Sequence, residues 1–280
     1  MADLPPEPDL SDADAPPQIA RCIETAGVAK AALPVVPLLT LSVLAGAFVA
    51  FGAMLSTLAM TEPGLGLGPT RILGGAAFSL GLVLVVIGGA ELFTGDVLVV
   101  LAWADGRVPL RALLRNWGVA YVGNLLGAVA MAYLALWSGF MDMGGGAVGG
   151  MALKIATAEV ELGFTATFVR GLLGGMLVCL AVWLCLACRD VIGKVACVVF
   201  PVAAFMALGL EHASANMYYI PVGMLAWHVD AYARASHLLP IGADLNLFGL
   251  LRNLVPVTLG NIVGGGVFVA LTYSLAYRKR

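Results

Sequence analysis

Residues 208–221 read LGLEHASANMYYIP. They set Glu211, His212 and Asn216 between the apolar runs KVACVVFPVAAFMALGL (194–210) and YYIPVGMLAW (218–227). Ionisable groups in such surroundings belong either to a buried turn of a soluble core or to a membrane-embedded segment with a polar task. Composition decides between the two. Of 280 residues, 61% are hydrophobic and only 11% charged, whereas soluble domains carry roughly 25% charged residues. So few charges do not cover a water-facing surface, and the chain reads as an integral membrane protein. Its long apolar runs lack the alternation of a membrane β-barrel. Helices are the remaining way to satisfy a backbone in lipid, which makes the fold class all-α.

Six apolar segments follow, at roughly 33–60, 72–103, 113–138, 162–187, 194–226 and 249–277. One helical crossing takes about 20 residues. The second and fifth segments exceed that, and each carries a polar knot: GGAELFTGD at 88–96 and LEHASAN at 210–216. The third segment begins RNWGVAYVGNLLGAV at Arg115 and the sixth begins RNLVPVTLGNIVGGGV at Arg252. This repeat predicts two three-helix halves of inverted topology, 33–280 in all, with the second and fifth helices broken. Paired interruptions of this kind point to a substrate path near the midplane.

Before these segments, residues 1–17 form an acidic, proline-rich stretch, expected to be a disordered tail rather than a signal peptide. Residues 18–32, QIARCIETAGVAKAA, read as an amphipathic helix lying along the membrane surface. Lys and Arg in the flanks divide ten to four in favour of both termini facing the cytoplasm. The expected localisation is a bacterial inner membrane. A net charge of −2 points to no nucleic-acid partner. The C-x-x-C formed by Cys185 and Cys188 lacks a nearby histidine and is read as structural. Gly144, Gly145, Gly146, Gly149 and Gly150 read as a flexible loop, and His228 and His237 as loop residues. No G-x-S-x-G or other catalytic constellation is present, so no enzyme and no cofactor are expected.

Charges at membrane depth are costly and usually face a partner or a cavity. Glu91 and Glu211 are read as clamps that accept hydrogen bonds from backbone N–H groups freed where their helices break. His212, beside Ser214 and Asn216, is read as facing the pathway, where it exchanges a proton near neutral pH.

Five stretches together carry a resemblance: FSLGLVLVVIGGAELFTGDVLVV (78–100), RNWGVAYVGNLLGA (115–128), LVCLAVWL (177–184), FPVAAFMALGLEHASANMYYIP (200–221) and VPVTLGNIVGGG (255–266). In these the chain resembles the formate/nitrite transporter family over nearly its whole length after residue 18. The resemblance implies homopentamers of aquaporin-like six-helix protomers, each with its own pore. It implies apolar constrictions at Phe78, Leu82, Leu92, Val178 and Phe205. It also implies a polar centre of Thr94, His212 and Asn216, and small weak-acid anions as substrates, formate first and nitrite second, moving with protons. Whether His212 donates the proton or only hydrogen-bonds the substrate is open at this stage.

Two positions depart from the family pattern. Glu159 stands where many members carry a vestibule lysine, in a K-x-x-x-x-F pattern, and Gly175 stands where many carry an asparagine. Either Glu159 occupies the vestibule or Lys154 takes the lysine's place. Glu159 and Arg170, eleven apart, are expected on one face of a single helix. These departures keep two other readings in play: a variant passing a neutral or cationic small solute, and a non-conducting sensor or assembly subunit.

Overall fold

In the computed structural model, residues 13–238 and 244–277 are described. The tail predicted over 1–17 therefore lies mostly outside the described residues. Among the described residues there are helices and no strands. Pro16–Ala32 is a helix, α1, with Pro16 and Pro17 in its first turn, where the missing N–H groups cost nothing. The long apolar helices α2 (Val35–Met60) and α3 (Leu67–Gly88) follow. After a non-helical stretch the chain re-enters helix as the short α4 (Phe93–Asp96), a 3₁₀ turn at Val97–Val99, and α5 (Val100–Ala104). Next come α6 (Leu110–Trp137), α7 (Ala147–Glu161), α8 (Phe164–Ala187) and α9 (Val191–Ala207). After a second non-helical stretch, α10 (Ala213–Ala226) and the short α11 (Asp230–Ser236) lead to α12 (Leu247–Ile262). That last long helix runs on through a π-helical stretch, Val263–Leu271, into α13 (Thr272–Tyr277). Among the described residues, five stretches are long and apolar enough to cross a membrane: Val35–Met60, Leu67–Gly88, Leu110–Trp137, Phe164–Ala187 and Leu247–Tyr277.

Both interruptions end on the same device. Gly89 (φ 77°) and Gly209 (φ 67°) take left-handed conformations at the ends of α3 and α9. Ala90 N–H then reaches back to Val85 O at 3.0 Å, and Leu210 N–H to Phe205 O at 3.2 Å. These are glycine caps that stop a helix and satisfy its last carbonyls. Each then crosses to a neighbouring helix: Glu91 N–H donates to Leu41 O in α2 (3.2 Å), and Glu211 N–H to Arg170 O in α8 (3.3 Å).

Backbone packing is close wherever glycine permits it. A Cβ built on Gly127 of α6 would overlap Val43 O in α2, and one on Gly264 would overlap Leu172 O in α8. Gly175 belongs to this set. A Cβ there would meet Asn261 O at 2.5 Å, so a larger side chain would drive α8 off the last long helix. Such small-residue contacts replace the hydrophobic drive that lipid cannot supply.

Two sequence expectations are corrected here. Gly149 and Gly150 are not loop residues but lie in α7, pressed against Tyr232 and against Ala235 and Ser236. Their missing side chains are what let α11 pack there. Glu159 and Arg170 do not share a helix, because the chain breaks at Leu162 and Gly163 between α7 and α8. Cys188 lies 3.4 Å, Sγ to Sγ, from Cys197, and the Cys185 thiol donates to Lys194 O.

Gly127→Leu is expected to abolish detergent-stable protein, read as loss of the monodisperse peak in size-exclusion chromatography. Gly118→Ala, at a position where a Cβ meets nothing within 4 Å, should leave that peak unchanged or sharpen it.

Candidate functional site

Two asparagines hold the two interruptions. Asn124 of α6 accepts Phe93 N–H at 2.9 Å and donates to Ser42 O (2.8 Å) and Glu91 O (3.0 Å). Asn261 of α12 accepts Ala213 N–H at 2.9 Å and donates to Gly171 O (2.7 Å) and Glu211 O (3.0 Å). Both side chains are buried. An amide offers one acceptor oxygen and two N–H donors, which suits the mixed set of groups left over where a helix stops. The clamp role expected of the Glu91 and Glu211 side chains is therefore corrected: a carboxylate accepts only, whereas each break needs donors for its carbonyls as well. In the sequence, Asn124 and Asn261 stand out as the second asparagines of the R-N…G-N repeat, which speaks for topology and not for this role.

The two glutamates have other partners. Lys30 Nζ, near the end of α1, lies 2.6 Å from Glu91 Oε2 and 2.8 Å from Asp96 Oδ1. The Asp96 side chain is wholly buried, and Asn116 donates to the Lys30 carbonyl at 3.4 Å. Neither Lys30 nor Asp96 is singled out by the sequence. Lys30 sits in short apolar text, GVAKAA, with no local sign of its distant partners. Glu211 Oε2 accepts from Asn216 Nδ2 at 2.7 Å. The same nitrogen lies 2.8 Å from Asn253 Oδ1 and 3.4 Å from Glu159 Oε2. Asn253 in turn donates to the Glu159 carbonyl at 3.0 Å.

Thr94 and His212, one from each interruption, meet at 2.7 Å between Oγ1 and Nε2. His212 caps α10: its Nδ1 accepts Ala215 N–H at 3.2 Å. A neutral imidazole with Nδ1 as acceptor carries its hydrogen on Nε2. His212 then donates to Thr94 Oγ1, and the threonine hydroxyl hydrogen is left to turn elsewhere.

Three cavities run through this centre in series. The first, of about 340 Å³, is lined by Arg71, Lys154, Glu159, Arg170, Glu211 and Asn216 among others, and it is floored by Phe205. The second is only about 10 Å³; Phe78, Leu82, Leu92, Val178, Phe205 and His212 line it. The third, of about 260 Å³, begins at Leu82 and Leu92 and reaches Lys30, Glu91 and Asp96. Phe205 is shared by the first and second cavities, and Leu82 and Leu92 by the second and third. All five apolar residues singled out from sequence thus line the narrow middle. His212 lines it too, hydrogen-bonded to Thr94, while Asn216 turns toward Glu211 and Asn253. Both Glu159 and Lys154 reach the first cavity, so Lys154 does not displace Glu159 from it. His228 and His237 are exposed and outside all three.

Two large cavities that share lining residues with a narrow apolar waist between them, in a bundle of membrane-length helices, define a membrane transport protein. A sequence profile described as formate/nitrite transporter matches residues 17–275, and the chain belongs to that family. It is 37% identical over 272 residues to "Formate channel FocA" of Escherichia coli (strain K12), covering 94% of each chain. It is 37% identical over 281 residues to "Probable formate transporter" of Methanothermobacter thermautotrophicus, covering 94% of this chain and 97% of that one. Among solved structures, a "Pentameric formate channel with formate bound" superposes with a TM-score of 0.81 at 38% identity, covering 88% of this chain and 98% of that one. The family is one of channels and transporters, not of enzymes.

Removing one partner of a buried charge group leaves the others uncompensated, at a cost of about 3–5 kcal/mol. Lys30→Met is therefore expected to lower the thermal midpoint in detergent clearly, and adding Asp96→Asn should recover part of the loss. Equal melting of Lys30→Met and wild type would rule out an ion-pair role.

Proposed function

We propose that this chain is a channel for small monovalent weak-acid anions, formate first and nitrite second, moving with a proton. The observation that carries the reading is His212, which lines the 10 Å³ waist between two larger cavities and is hydrogen-bonded to Thr94. An anion entering that waist would lose its water and meet Phe78, Leu82, Leu92, Val178 and Phe205. An unpaired charge in such surroundings is strongly disfavoured. The neutral acid is not, and the Thr94 hydroxyl and the His212 ring are then sufficient partners for it. In this reading, anions gather in one vestibule, take a proton there or at His212, cross as the acid, and ionise on leaving.

The first cavity favours anions over the cationic alternative. Arg71, Lys154 and Arg170 line it against Glu159 and Glu211, so cations outnumber carboxyl groups. The formate bound in the pentameric relative supports formate as the first substrate to test. The same relative supports a homopentamer, and the exposed apolar side chains Val36, Leu67, Phe200 and Leu275 offer surfaces for lipid or neighbouring copies. We read six crossings in two inverted halves: α2; α3 with α4 and α5; α6; α8; α9 with α10; and α12 with its continuation through α13. Both termini face the cytoplasm in this reading, with α1 lying along the membrane surface.

In proteoliposomes, wild-type protein is expected to take up labelled formate faster as external pH falls. Thr94→Val, which removes the hydroxyl at constant shape, should lower uptake by about tenfold, corresponding to about 1.4 kcal/mol, one lost hydrogen bond. His212→Asn should change the pH dependence. No formate or nitrite uptake by wild type at any pH would overturn the channel reading in favour of a sensor or assembly subunit.

A further inference from the structure

The two helix interruptions have matching surroundings that differ in charge. At one, the asparagine Asn116 holds the Lys30 carbonyl, and the Lys30 amine lies between Glu91 and Asp96. At the other, Asn253 holds the Glu159 carbonyl, and the Glu159 carboxyl lies beside Glu211 and Asn216. Asn116 and Asn253 are the equivalent first asparagines of the sequence repeat, so Lys30 and Glu159 occupy equivalent places. The first group sets one cation between two carboxyl groups. The second sets two carboxyl groups around a neutral amide.

Counting hydrogens sharpens the difference. Asn216 Nδ2 has two hydrogens but three acceptors around it: Glu211 Oε2 at 2.7 Å, Asn253 Oδ1 at 2.8 Å and Glu159 Oε2 at 3.4 Å. The cluster is one hydrogen short, the long contact falls on Glu159, and the Glu159 and Glu211 carboxyl groups converge on the same nitrogen. Two carboxyl groups this close do not both ionise at ordinary cost. Around them stand Arg170 of α8, Arg71 of α3, Lys154 of α7 itself and Tyr219 of α10, all lining the same cavity, with His212 beyond Phe205.

We propose that Glu159 and Glu211 share one proton and form a proton-donor site at the mouth of the path, serving the weak-acid anion that Arg170 and Lys154 draw into the first cavity. This deepens the channel reading and rests on it. The step is a simple transfer. A carboxyl O–H bond of the pair breaks, and an O–H bond forms on the substrate oxygen. The neutral acid moves on past Phe205, and the pair, left with two negative charges facing Arg170, regains a proton from cavity water. At the other interruption a cation, Lys30, lies between the two carboxyl groups instead.

The test uses infrared difference spectroscopy on the purified full-length protein, with Glu159→Gln and Glu159→Lys beside wild type. The lysine variant recreates at this interruption the cation–carboxylate pairing seen at Lys30, which guards against a mere folding failure. Wild type is expected to show a protonated-carboxyl band near neutral pH that shifts in heavy water, and both variants should lack it. In proteoliposomes, Glu159→Gln should slow formate uptake about tenfold at neutral pH and much less in acid, where bulk water supplies the acid form. A band that survives in both variants overturns the shared proton. A pH profile unmoved by Glu159→Gln overturns its delivery to substrate. Absence of any wild-type anion flux sinks the channel reading and the delivery step with it, whereas the spectrum still decides the shared proton.

Discussion

Two carboxamides carry the structure. Wherever a helix stops at membrane depth, its free N–H and C=O groups must find partners inside the protein, because lipid offers none. Asn124 and Asn261 each take one freed N–H and serve two carbonyls. With those groups satisfied, the chain crosses the middle of the bundle as bare backbone and places Thr94 and His212 against each other. A carboxylate in either place would leave carbonyls unserved, and an aliphatic residue would serve nothing.

The charges follow from that arrangement. Because the amides do the structural task, Glu91 and Glu211 are free to face the two larger cavities. There Glu91 meets Lys30 from α1, and Glu211 shares the Asn216 amide with Glu159 from α7. The protein therefore has two chemically different mouths on one symmetric frame. One is an ion-paired cluster and the other a pair of acids ringed by Arg71, Lys154 and Arg170.

Much of this is legible in the sequence, for identifiable reasons. The membrane class follows from charge scarcity, and the interruptions from polar knots in overlong apolar runs. The histidine stands out because few groups titrate in such text. What the sequence hides depends on long-range geometry. Lys30 meets Glu91 and Asp96 across more than sixty positions of chain, and no local pattern announces that. Gly149 and Gly150 suggest a flexible loop in place of α7, whereas in the fold their smallness admits the Tyr232 ring and the α11 backbone. The break at Leu162 and Gly163 is hidden for the opposite reason: the surrounding text is apolar enough to continue a helix. The asparagines are visible as a repeat, but a repeat gives correspondence and not role.

The glycine seams between α2 and α6, and between α8 and α12, bring backbones together with no side chains to yield between them. Helices locked in this way cannot slide or tilt without a clash of main-chain atoms. Opening of the waist therefore falls to the rings and branched chains that line it, chiefly Phe78 and Phe205, whose centroids lie 6.1 Å apart. The frame is thus that of a sieve whose bars are fixed and whose narrowest passage is bounded by side chains.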